Sequence, residues 1–343
     1  MPVVEGLLDK VLGVREHIEK ALAKMRSIKV EGLEWIPLEL QEAKDLLFVA
    51  SDSSRQHENF RGLFIYAVQG VAVAYSTAEG VLKREVDSDA RVIELVGKKV
   101  RRFVEAILDN SSKRLEVKLV EKIIENNVSP SYVLFDGSYE SFAQAILVPF
   151  RRSFREEIYA MWKERVESLA RILKSFQTVF ISKSIKRTYL NKECGITVRL
   201  GDNEIEVPDI IIIGKVINEA KVKTSGILWP AKPYIELRNA PLWRGKAELE
   251  ALDNLSEKYT MFYALLSPWG RVYRITVPKE ISLQEAEEIV RDLSVVSVND
   301  GYPHPLAVVH HLSKLTRKDF KDMLALVAWD LESGREPLNY TIS

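Results

Sequence analysis

The sequence predicts an α/β protein: a mixed sheet flanked by helices, with a β-rich insertion and helical segments at both ends. Three observations carry this. Short apolar runs bounded by turn residues alternate with stretches of helical spacing. Two of those runs, Leu46–Ala50 and Tyr132–Phe135, lead into Asp-Ser-Ser and Asp-Gly-Ser. No run approaches the ~18 apolar residues of a membrane span. The chain has 343 residues, 46% hydrophobic and 29% charged, so it is long enough for a large core and too apolar for a disordered chain.

In order, Val3, Leu7, Leu8, Val11, Leu12, Val14, Ile18, Leu22 and Met25 recur at helical spacing over residues 3–27. Leu46–Ala50 reads as a short buried strand ending in a polar turn at Ser51–Ser54. Leu63–Tyr75, interrupted by Gln69-Gly70, reads as two strands or one bulged strand. Residues 90–126 are helical, with a break expected at Asp109–Ser112 and Ser112 capping a second helix. Tyr132–Phe135 is a second buried strand, a long helical region runs to about Phe176, and Thr178–Ser182 is a third strand.

Residues 195–258 carry β-branched runs such as Ile210–Ile213 with Pro, Gly and Trp punctuation, and read as an insertion. Ser267-Pro268-Trp269-Gly270 turns a hairpin, and helices start at Ser282 and Pro305. The expected organisation is a helical extension (1–43), the first part of a core (44–194), the insertion (195–258) and a completing segment (259–343).

One cysteine, Cys194, excludes an internal disulfide framework and any multi-Cys zinc module. With no signal-peptide pattern at the start, a cytoplasmic location is expected. Lys+Arg 49 against Asp+Glu 49 gives zero net charge, which excludes a uniformly basic nucleic-acid reader.

In open α/β sheets ligands collect at strand ends, so Asp52 and Asp136 point to a shared carboxylate site, which a hard divalent cation would hold ionised. On a helical wheel begun at Leu115 the apolar residues average to about 110°, Glu116 falls at about 100° and Glu121 at about 240°. Glu116 is therefore the third candidate ligand and Glu121 a solvated residue. His310 and His311 lie on the helix entered at Pro305, and helical spacing leaves open which of them faces inward.

Asp52-Ser53-Ser54, Glu116, Asp136-Gly137-Ser138 and the late Gly301-Tyr302-Pro303 with His310, in that order, resemble the NurA nucleases of archaea over about residues 44–320. The resemblance implies a ribonuclease-H-like core and a Mn²⁺ site (Mg²⁺ as the alternative) held by Asp52, Glu116, Asp136 and His310. Tyr302 and His310 match the family's late tyrosine and histidine, which favours His310 over His311. One departure is Ser53 where the family usually has glycine after the aspartate.

It further implies 5′ to 3′ exonuclease and single-strand endonuclease action on DNA. The proteins it resembles are homodimers that work with a HerA-type hexameric helicase in end resection for double-strand break repair. DNA contacts would come from Arg151, Arg152, Lys183, Lys186 and Arg187, whereas Lys98, Lys99, Arg101 and Arg102 read as a solvated helix face. Two other readings share the pattern: an actin-like or sugar-kinase ATPase, against which 16 glycines argue, and a non-catalytic nuclease-fold scaffold for a helicase.

Overall fold

The computed structural model describes residues 14–15, 17–20, 23, 25, 27–39, 44–60, 63–94, 100–144, 152–185, 187–237, 255–298 and 300–327. The described residues between 14 and 25 are helical apart from masked positions among them, and Val14, Ile18 and Met25 are exposed.

The strands, in chain order, are β1 (Lys29–Glu31), β2 (Leu33–Pro37), β3 (Leu47–Phe60), β4 (Leu63–Ser76), β5 (Gly80–Glu94), β6 (Tyr132–Asp136) and β7 (Thr178–Ser182). They continue with β8 (Thr197–Leu200), β9 (Asn203–Glu204), β10 (Gly226–Pro230), β11 (Tyr234–Glu236), β12 (Lys258–Leu265) and β13 (Val272–Val277). The helices are α1 (Val100–Glu125), α2 (Tyr139–Ala143), α3 (Arg152–Ser175), α4 (Tyr189–Lys192), α5 (Asp209–Ala220), α6 (Leu283–Val295), α7 (His304–Ser313) and α8 (Arg317–Val327).

A ten-stranded mixed sheet runs β2-β10-β12-β13-β7-β6-β3-β4-β5, with β11 also on β12, and a small sheet joins β1, β8 and β9. β3, β4 and β5 form an antiparallel meander, while β3, β6 and β7 are parallel. Parallel neighbours need long crossovers, and α1 and α3 lie in them. α1 and α3 pack on one face with Val49, Val133 and Phe135; α6 and α7 pack on the other with Phe48, Ala50 and Leu134. This is the mixed sheet flanked by helices that the sequence predicts. Residues 195–258 contribute β10 and β11 to the main sheet, and Ile210–Ile213 lie in α5, burying Ile212, Ile213 and Val216 at helical spacing.

Two local expectations change. The strand expected to end at Ser51 continues as β3 to Phe60, because β4, buried along most of its length, offers a full-length antiparallel partner from Leu63 to Ser76. Burial and ladder bonds override the turn preference of Asp-Ser-Ser, so Asp52 stands within a strand opposite Val71. The break at Asp109–Ser112 is absent, and α1 is continuous. Asn110 Nδ2 donates to the Ala106 carbonyl (2.8 Å), Lys113 pairs with Asp109 one turn back, and Ser111 and Ser112 are buried.

Gly70 sits opposite Ser53, and a Cβ there would lie 2.8–2.9 Å from Leu115 and Leu119. Its missing side chain lets α1 approach the sheet one residue from Glu116. Gly70→Ala is expected to destabilise the protein by about 1–3 kcal/mol in urea unfolding, since both leucines are buried.

Candidate metal centre

Successive residues of a strand face opposite sides of its sheet, and β3 uses this to serve two helices from adjacent positions. Asp52 faces α7, where His310 Nδ1 lies 2.7 Å from Oδ2 and Ser313 Oγ donates to the same oxygen over 3.4 Å. Its other oxygen accepts the Ser53 amide at 2.8 Å. Ser53 faces α1 and donates its hydroxyl to Glu116 Oε1 at 2.5 Å.

Asp136 is the last residue of β6, brought beside β3 by the parallel ladder that pairs Ser51 with Phe135. Its Oδ2 accepts from Tyr302 (2.8 Å) and from Lys183 Nζ (3.0 Å), and the Lys183 ammonium lies 4.0 Å from the centre of the Tyr302 ring. Lys183 follows β7, the next parallel strand, so the donor arises from the same sheet edge. Tyr302 is held from behind by its amide on Asp300 Oδ1 (3.0 Å) and by the Tyr273 ring.

Ligand atoms of Asp52, Asp136 and His310 all fall within 4.8 Å of one another. Glu116 approaches from the opposite face, lining with Ser53, Arg55, Lys113, Asp136 and Phe142 a cleft of about 230 Å³. Burial is the main cause that pushes the Glu116 carboxyl well above its usual range, and the Asp52 charge adds to it. Asp52 is also raised, chiefly by burial, with the His310 bond opposing the shift and the Asp136 charge reinforcing it. Burial pulls the Lys113 ammonium down, against the pull of Asp109.

The donor set fits a divalent cation. Two strand carboxylates and one imidazole offer oxygen and nitrogen atoms at one point, with Glu116 behind them, and a metal's positive charge would offset the burial and the neighbouring negative charge that raise Asp52 and Glu116.

Among the residues singled out from sequence, Asp52, Glu116, Asp136, Tyr302 and His310 meet at this sheet edge, while His311 is exposed. Glu121 lies outside the site, gripped by Arg171 of α3 at 2.5 and 3.2 Å. Lys183 is at the centre, on Asp136; Arg187 donates to the Tyr189 hydroxyl (2.7 Å). Arg151, Lys186 and the side chain of Arg152 lie outside the described residues. Ser53 and Ser313 were not anticipated. Alternation from Asp52 marks Ser53 as facing α1, and Ser313, three residues after His310, shares its helix face.

A NurA domain profile matches residues 46–315. The fold is similar to that of the NurA nuclease from Sulfolobus solfataricus, at 19% identity and a TM-score of 0.66 over 96% of this chain and 97% of that one. It is also similar to NurA bound to dAMP and manganese (14% identity, TM-score 0.58, 96% of each chain) and to NurA with manganese (14%, 0.55, 94% and 96%). No functionally curated protein matches the sequence.

A raised carboxyl costs stability once it ionises. Stability contributed by a protonated Glu116 is complete at low pH and is lost as pH rises through its folded-state value. In EDTA at neutral pH, Glu116→Gln is therefore expected to raise the unfolding free energy by about 1–3 kcal/mol. The gain should shrink toward zero as pH falls below that value; urea titrations at several pH values check both.

Proposed function

The chain belongs to the NurA family, and from that premise we propose that it is a Mn²⁺-dependent deoxyribonuclease whose catalytic centre is Asp52, Glu116, Asp136, Tyr302 and His310. The observation that carries this reading is the convergence of Asp52, Asp136 and His310 within 4.8 Å, in a chain matched by the family profile across the same residues.

A divalent cation held there would lower the pKa of water and stabilise charge on a phosphodiester under in-line attack. The rest falls to the protein. Asp52 and Asp136 supply oxygen ligands from neighbouring parallel strands, so their separation is set by the sheet. Glu116, fixed by Ser53, completes the acidic wall. His310 has one ring nitrogen on Asp52 and a largely exposed side chain, which leaves the imidazole able to hand a proton to the departing oxygen. Tyr302 orients Asp136 through its hydroxyl, and Lys183 beside it places positive charge where a phosphate oxygen would lie.

The substrates in this reading are single- and double-stranded DNA ends, cut by 5′ to 3′ exonuclease and single-strand endonuclease action. The dAMP and manganese held by a protein of the same fold support a deoxynucleotide substrate. The protein would act as a homodimer with a HerA-type hexameric helicase in end resection. Zero net charge supports such a partnership, since an isolated domain with balanced charge gains little from phosphate neutralisation.

The test is a Mn²⁺ and Mg²⁺ titration on end-labelled single-stranded DNA. Asp52→Ala and Asp136→Ala are each expected to reduce cleavage by on the order of 100-fold or more. Unchanged Mn²⁺-dependent cleavage by Asp52→Ala overturns the site. Absence of cleavage by the wild type, with and without the helicase, favours a scaffold.

A further inference from the structure

Trp269 is 92% exposed, at the tip of the β12–β13 hairpin. An indole has large apolar faces, and full exposure of one is uncommon. Its position is set by contacts at its base. The Gly270 amide donates to Ser267 (2.9 Å), and the Arg271 amide donates to the Asp300 carbonyl (2.9 Å). A Cβ on Gly270 would fall 2.8 Å from the Asp300 oxygen, so a residue with a side chain could not seat the tip this closely on the loop that carries Tyr302. Tyr273 of β13 reinforces the union, bonding Asp300 through its hydroxyl (3.2 Å) with its ring 5.7 Å from that of Tyr302.

The hairpin tip and the acidic centre share one end of the sheet. β13 begins beside the end of β7, where Arg274 pairs with Ser182, and β7 in turn pairs Ile181 with Asp136. Thus the hairpin tip presents an exposed indole, and the loop bonded to it at Asp300 carries the hydroxyl that holds Asp136. Beside the hairpin tip, Arg271 and Asp300 are exposed polar residues and Val298 is an exposed apolar one. A protein interface uses a patch of several hundred Å². A single aromatic face with an exposed arginine two residues along the hairpin suits a nucleobase, because any base can stack on it while Arg271 meets a phosphate.

We propose that Trp269 is the stacking platform for an unpaired nucleobase of the strand whose phosphodiester lies at Asp52 and Asp136. This rests on the nuclease reading above, and the experiment separates the two. Binding of the full-length protein to a fluorescein-labelled single-stranded oligonucleotide is measured in Ca²⁺, with an abasic site moved along the strand one nucleotide at a time. Wild type is expected to lose about 5- to 100-fold in affinity when the abasic site reaches one or two particular positions. Trp269→Ala is expected to bind the intact strand weaker by a similar factor and to be indifferent to abasic position, and Trp269→Phe to keep most of the affinity. Equal affinity of Trp269→Ala and wild type overturns the proposal, as does an abasic profile that persists in the variant. A change of oligomeric state with DNA affinity untouched assigns the indole to a protein contact and overturns it too. Separately, failure of the wild type to hydrolyse bis(p-nitrophenyl) phosphate with Mn²⁺ counts against the nuclease reading alone.

Discussion

Three carboxyl groups, Asp52, Glu116 and Asp136, sit within electrostatic reach of one another at a largely buried sheet edge, and the local structure is arranged around their repulsion. Burial drives Asp52 and Glu116 toward their neutral forms. The fold limits this by giving every carboxylate donors of its own: a backbone amide, a serine and a histidine for Asp52, a serine hydroxyl for Glu116, a tyrosine and a lysine for Asp136. These donors come from separate elements, so the site forms only when the sheet and both helical layers are in place.

The alternation of β3 makes this possible. Asp52 and Ser53 are adjacent in the chain and serve opposite layers, the first reaching α7 and the second α1. Gly70 on the neighbouring strand then permits the close approach of α1 that brings Glu116 to Ser53. A one-residue slip of β3 against β4 would exchange the two faces and separate every partner. Packing of the apolar residues 48–50, which alternate between the two cores, guards against such a slip.

Much of this is legible in the sequence. Tyr132–Phe135 and Thr178–Ser182 are buried throughout because parallel strands are covered on both faces, and they appear where their apolar runs predict. The position of Glu116 within the apolar stripe of its helix anticipated its burial, and that of Glu121 its place outside the site, because a helix obeys one period whatever surrounds it. The extent of β3 was not legible, since it depends on a partner strand whose reach is a non-local property. Nor was the role of Lys183: a lysine after a strand reads as a free cation until the sheet order places it against Asp136. Helical spacing could not choose between His310 and His311, because the choice depends on where Asp52 lies across the gap between β3 and α7.

The balance of 49 basic and 49 acidic residues takes on a specific meaning at this sheet edge. Lys183 lies on Asp136 and Lys113 on Asp109, so two of the cations beside the acidic centre are already committed to carboxylates of the protein. Attraction for a polyanion is weakened accordingly, and what remains is screened by salt. Base stacking is far less sensitive to salt and to sequence, and so can act where the charges of a protein cancel. In the nuclease reading, an exposed indole on the same end of the sheet would thus complement the electrostatics, holding a strand in register with the carboxylates where charge alone gives little hold.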